Sequence, residues 1–172
     1  LFITEEKHNW FGTNNDTDLI IYVPSNFIFD GVSIESGAGK IEIDSLSTRE
    51  LELDLGAGKV RINNLVVLNN ASVDGGAGKI EILNGQIHNL ELDMGVGELS
   101  FNAELIGNSE IDAGVGKVNL NLRGNNYKIL VDKGIGTTTI NGESISGNVY
   151  GQGQNLIDID GGVGSIEIIY GI

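Results

Sequence analysis

The sequence predicts an all-β solenoid of stacked parallel strands. Three observations point there. A Gly-x-Gly triplet recurs seven times at near-constant spacing, and short runs of alternating apolar and polar residues flank the triplets. No stretch carries the i, i+3, i+4 apolar periodicity of a helix.

The triplets begin at Gly37, Gly56, Gly76, Gly95, Gly114, Gly134 and Gly162, at intervals of 19, 20, 19, 19, 20 and 28 residues. The long interval reads as one repeat carrying an insertion of about eight residues. Two residues before each triplet stands a carboxylate: Glu35, Asp54, Asp74, Asp93, Asp112, Asp132 or Asp160. Directly after it stand Lys40, Lys59, Lys79, Glu98, Lys117, Thr137 or Ser165. Alternations such as Ile41-Glu42-Ile43, Val60-Arg61-Ile62 and Ile80-Glu81-Ile82 follow, and Leu51-Glu52-Leu53 and Leu90-Glu91-Leu92 precede. Strict alternation is the mark of a half-buried strand. These residues, with Leu99, Phe101, Val118 and Leu120, are the expected core.

The apolar parity is odd at Leu51 and Leu53 and even at Val60 and Ile62. Such a slip marks a corner or bulge, and the second glycine supplies the backbone freedom for it. On this reading the middle residue of each triplet stays inward. It runs Ala38, Ala57, Ala77, Val96, Val115, Ile135, Val163, a stacked core column.

A repeat of this length cannot bury its own apolar face, and a propeller blade needs about 40 residues. Twenty residues at about 3.3 Å each close a coil of about 60–65 Å perimeter, and about seven rungs make a rod of about 30–35 Å. Right-handed coiling is the expectation by analogy with other parallel coils. The whole chain, 1–172, reads as one domain. Residues 1–33 form N-terminal strands and a cap, with Leu19 to Val23 a strand. Residues 34–140 are regular rungs, 141–155 an insertion loop that protrudes, and 156–172 the last rung. Protruding loops on regular scaffolds often carry function.

Composition narrows the function classes. The net charge of −14 disfavours nucleic acid and anionic membrane surfaces. It serves solubility, or attracts cations or a basic partner. There are no cysteines, so disulfides and thiolate metal sites are excluded. No segment is long and apolar enough to span a bilayer. The first residue is Leu1, which fits a processed chain whose N-terminal signal or membrane anchor has been removed.

No catalytic, cofactor or metal site is expected. Stacked carboxylates about 5 Å apart repel, so something must offset them. Calcium could do so. The favoured reading is structural: each carboxylate accepts hydrogen bonds from N–H groups of its own corner, with the neighbouring lysines compensating. The calcium nonapeptide pattern fails, because Gly75-Gly76-Ala77-Gly78-Lys79 and Gly161-Gly162-Val163-Gly164-Ser165 are both followed by Ile, not Asp. Gly-Ala-Gly-Lys is not a phosphate loop, since Ile or Val and then a strand follow it. His8 and His88 stand far apart, and no serine occupies a nucleophile elbow. Thr137-Thr138-Thr139 recurs in no other repeat, so it is a strand of good β propensity and not an ice-binding ladder. The sequons Asn15-Asp16-Thr17 and Asn70-Ala71-Ser72 are common by chance.

The phrase Ile20-Ile21-Tyr22-Val23-Pro24, followed by Val32-Ser33-Ile34-Glu35-Ser36-Gly37-Ala38-Gly39-Lys40-Ile41-Glu42-Ile43, resembles a bacterial adhesin family catalogued as a β-strand-repeat domain of unknown function. The likeness continues through Leu51 to Lys59 and the later triplets. It implies a single-stranded parallel β-helix, often behind an N-terminal membrane segment, at the envelope of Gram-positive bacteria. It implies no enzyme and offers no catalytic motif.

Two functions follow from different classes. The first is a non-enzymatic surface module, an adhesin or scaffold that binds protein or glycan through a flat face or the 141–155 loop. The alternative is a carbohydrate-active enzyme, a polysaccharide lyase or hydrolase on a β-helix. That chemistry needs convergent carboxylates, or carboxylates with Arg or Lys, in a groove walled by long loops. Here loops are short and the arginines number three, Arg49, Arg61 and Arg123.

Overall fold

A computed structural model describes residues 20–24, 26–145 and 148–171, the Lys133 side chain excepted. Most of the expected N-terminal cap, with His8 and the first sequon, lies outside the described residues. Of the strand expected at 19–23, the described residues 20–23 are not in a strand. The described residues are all-β, without a helix, and form a single sheet. Its strands are β1 (Phe29–Ile82), β2 (Gly85–His88), β3 (Leu90–Ile106), β4 (Asn108–Leu122), β5 (Tyr127–Ile140), β6 (Glu143–Ser144), β7 (Val149–Tyr150) and β8 (Asn155–Tyr170).

β1 is long because it carries three triplets and winds past itself. Side chains 19 or 20 residues apart meet along it. Asn63 Nδ2 donates to Asp44 Oδ1 at 3.0 Å, and Asn69 Nδ2 to Glu50 Oε1 at 3.0 Å. Beyond β1 the triplets pair in parallel and in register: Ala77 with Val96, Val96 with Val115, Val115 with Val163. The repeat unit read from the sequence is thus the stacking unit.

Beyond the first layer both triplet glycines are required, for separate reasons. At the second glycine the backbone has positive φ, +147° at Gly78, where L side chains are strained. At the first glycine φ is ordinary, but a Cβ on Gly76 would overlap the carbonyl oxygen of Gly56 in the layer below. The corner therefore turns in very little space, backbone against backbone.

The core follows the alternation. Leu51, Leu53, Val60, Ile62, Ile80, Ile82, Leu90, Leu92, Leu99, Phe101, Val118 and Leu120 are buried. Ile41 and Ile43, in the first layer, are only half-buried against the core. The middle residues of the triplets are not core. Val96, Val115, Ile135 and Val163 are 48–76% exposed, and Ala38, Ala57 and Ala77 are exposed as well. The parity slip precedes the middle residue, so the whole triplet lies outside the corner. The residue before the triplet takes the inward place: Leu55 and Met94 are buried there. Where that residue is Gly75 or Gly161, the Cδ1 of Ile80 or Ile166 fills the space, 3.0 and 2.6 Å from where a Cβ would stand.

The largest departure from the sequence reading is the order of the last two layers. β8 does not follow β5 outward. It lies between β4 and β5, parallel to both, with Val163 facing Val115 on one side and Ile135 on the other. The 28-residue interval is therefore a return connection and not a simple insertion. Segment 141–155 does not protrude freely: β6 and β7 within it pair antiparallel with β5, Ile140 with Glu143 and Leu130 with Val149. The intercalated strand is fastened at its ends. Asn155 N donates to Asn126 O at 3.0 Å, and Leu156 N to Gly107 O at 2.8 Å. Tyr170 N donates to Asn141 Oδ1 at 2.9 Å.

Candidate functional site

Outward residues of the strand entering each corner build two parallel carboxylate columns. One contains Glu52, Glu91, Glu110 and Asp158. The other contains Asp54, Asp74, Asp93, Asp112, Asp160 and Asp132 in spatial order. Side chains two apart on a strand share a face, and adjacent strands lie about 4.8 Å apart, so both columns crowd one wall.

The expected capping of corners by these carboxylates is not what the structure shows. Among the described residues, none of Asp54, Asp74, Asp93, Asp112, Asp132 and Asp160 accepts a hydrogen bond from a corner N–H, and Asp112 Oδ1 is buried without any hydrogen-bond partner. The reason is the ladder. Pairing continues through the triplets, Gly78 with Gly97 and Gly97 with Gly116, so the corner backbone is engaged by the neighbouring layer. The Asp112 carboxyl is consequently held above the ordinary aspartate range, first by desolvation and then by the charges of Asp93, Asp160 and Glu110.

Nor do the lysines compensate this column. Lys40, Lys59 and Lys79 pair instead with carboxylates at or beyond the end of the corner. Lys40 meets Glu42 at 2.7 Å, Lys59 meets Glu81 at 3.9 Å, and Lys79 meets Glu81 at 3.6 Å and Glu98 at 3.3 Å. Arg61 adds a third cation to Glu81 at 3.1 Å. All these pairs belong to the N-terminal half of the stack. Further along, the position after the triplet becomes Lys117, Ser165 and Thr137.

The middle residues form an exposed ridge beside the carboxylates. With β8 intercalated, the spatial order is Ala38, Ala57, Ala77, Val96, Val115, Val163, Ile135, so apolar bulk grows steadily along the stack. A groove of about 890 Å³ follows the aspartate column and the first triplet glycines. A second, of about 920 Å³, follows Glu52, Glu91 and Glu110. Among the described residues no three His, Asp or Glu side chains are grouped to hold a metal ion. In-line stacking spreads the carboxylates along a line instead of around a point.

Two polar ladders went unread in the sequence. Asn84 Nδ2 donates to Asn64 Oδ1 at 2.9 Å, and the Arg123 guanidinium donates to Asn84 and to the Gly85 carbonyl. Asn89 Nδ2 donates to Asn69 O at 2.8 Å, and Asn108 N to Asn89 Oδ1 at 3.1 Å. The recurrence of asparagine at 64 and 84, and at 70, 89 and 108, was the available signal. Asn70 of the second sequon donates to Glu50 Oε2 at 3.1 Å within this second ladder. His88 is half-buried on β2, paired with Ile106.

Residues 2–152 match the family model described as Toastrack DUF4097. No curated protein and no solved structure matches the chain. No helix among the described residues is long and apolar enough to cross a membrane.

Proposed function

We propose that this chain, which belongs to the Toastrack DUF4097 family, is a non-enzymatic binding scaffold of the bacterial cell envelope or surface, an adhesin-type module. We read its architecture as a right-handed single-stranded parallel β-helix of about seven rungs, which an experimental structure would test directly. The observation that carries the functional reading is the exposed aliphatic ridge alongside two carboxylate columns on a regular ladder. A surface that repeats at strand spacing suits extended contact with a protein or glycan. It suits turnover poorly, because turnover needs a few groups converging on one bond.

The test is retention of the purified domain on envelope fractions of a Gram-positive bacterium, protein and glycan separately, beside fractionation of cells carrying the full-length gene product. Saturable retention and an envelope location support the reading. Depolymerisation of an acidic polysaccharide by the purified domain would replace it with the enzymatic alternative.

A further inference from the structure

We infer that the ridge Val96–Val115–Val163–Ile135, with the carboxylates beside it, is a docking surface for a cationic amphipathic helix of a partner protein. The inference rests on the binding-scaffold reading above and names the face and the chemistry of its occupant.

Two independent gradients reach their extreme at the same place. Apolar bulk rises along the ridge from Ala to Val to Ile, and these four side chains are 48–76% exposed. The position after the triplet loses its lysine in the same direction, where Lys117 gives way to Ser165 and then Thr137 in the last two layers. Among the described residues no ion pair neutralises any of Asp54, Asp74, Asp93, Asp112, Asp160 and Asp132, so the aspartate column is unneutralised along its whole length, beside the ridge included. Beside the ridge the Asp112 carboxyl is raised, first by desolvation and then by the like charges of Asp93, Asp160 and Glu110. A surface that exposes aliphatic side chains beside unneutralised charge is complementary to a partner that is apolar on one stripe and basic beside it.

A helix fits better than a strand. An added strand needs a free sheet edge, and three of the four ridge positions, Val96, Val115 and Val163, are paired on both sides, so a strand could reach only Ile135 on the outermost strand and would leave the rest of the ridge uncovered. Four ridge positions span about 14 Å at strand spacing. About ten helical residues cover that length, with apolar side chains at i, i+3, i+4 and i+7 and Lys or Arg flanking them. A second copy of this chain is disfavoured by its charge of −14 and by the carboxylates it would bring to the same contact.

The experiment uses fluorescence anisotropy of a labelled Leu/Lys amphipathic helix of about 14 residues, about four turns. Its controls are a scrambled peptide of equal composition and a Leu/Glu counterpart. The amphipathic basic peptide is expected to bind, and the scrambled peptide to bind at least about tenfold more weakly. Ile135→Ser with Val163→Ser should weaken binding about tenfold or more while leaving the melting temperature unchanged, because both side chains are exposed. Asp112→Asn with Asp160→Asn should weaken it and flatten its salt dependence. Equal binding of the scrambled peptide, or indifference to the ridge variant, would show acidity acting alone and overturn the inference. So would no binding by any peptide, or light scattering that reveals a dimer dissolved by the ridge variant. Envelope retention that survives the ridge variant leaves the scaffold reading standing while this inference falls.

Discussion

The two ends of the stack are finished differently. At the C-terminal end, β5 is covered at its two ends: β7 lies against Ile129 and Leu130 and β6 against Thr139 and Ile140, Tyr127 is buried, and the Tyr127 and Tyr170 rings meet edge to face at 6.2 Å. At the N-terminal end, Phe29, Val32, Ile34, Ile41 and Ile43 are only partly buried, and no described residue stands within 4 Å of where a Cβ would sit on Gly37. The corner glycines reveal a polarity behind this contrast. Each points its missing Cβ toward the layer nearer the N-terminal end, Gly76 at Gly56, Gly162 at Gly114, Gly134 at Gly162. An end layer is therefore permissive at one end and as constrained as the interior at the other.

Alanine at a first glycine tests that polarity with the largest effect. Gly76→Ala and Gly134→Ala force a Cβ into a carbonyl oxygen and should cost more than about 4 kcal/mol, or prevent folding. Gly37→Ala meets no described residue and should stay within about 0.5 kcal/mol of wild type by denaturant melting. Equal damage at Gly37 and Gly134 would erase the distinction between the ends. Core truncation sharpens it next. Ile82→Ala, at 2% exposure, should cost about 2–5 kcal/mol. Ile43→Ala, half-buried in the first layer, should cost clearly less. Tyr127→Phe removes one bond at the covered end, from Tyr127 Oη to Arg123 O at 2.5 Å, and should cost about 1 kcal/mol.

The smallest effects are electrostatic and differ in sign between the halves. Glu42, at the N-terminal end, is held below the ordinary glutamate range, chiefly by its hydrogen bond with Lys40. Its contribution is present above the ordinary glutamate pKa and fades as pH falls through the lowered value. Asp112 is raised, so its contribution is complete below the ordinary aspartate pKa and is lost as pH rises through the raised value. At neutral pH, Glu42→Gln should lower the melting temperature slightly and Asp112→Asn should raise it. The Asp112→Asn gain should vanish in acid. A loss of stability on Asp112→Asn at neutral pH would mean that its charge is compensated after all.

Particular residues show how far the sequence could be read. The triplets and the alternation around Ile80-Glu81-Ile82 revealed the stacking unit and the inward face, because strand periodicity and repeat spacing are local properties. The direction of Val96 and Val115 was not legible. Alternation loses its meaning where Gly97 takes φ +152°, and only the packing of Met94 beneath the corner decides it. The aspartates were expected to cap their corners because a lone repeat offers free N–H groups, and stacking engages those groups in the ladder. The order of β5 and β8 was hidden for a different reason. Both carry the same motif, and the 28-residue interval is equally compatible with an insertion and with a return.

That return makes β8 a keystone, with a consequence for how the molecule assembles during synthesis. Through β4, each new layer can settle on one already in place as it leaves the ribosome. Residues 127–140 then emerge before the strand that must separate them from β4 exists. Even once 143–150 have followed, they wait without the strand that joins them to the stack until 155–170 arrive and enter the gap. Closure of this end is thus a single late event, not one more repetition of the same step. The interval before it is when this part of the chain is most open to mispairing with another copy.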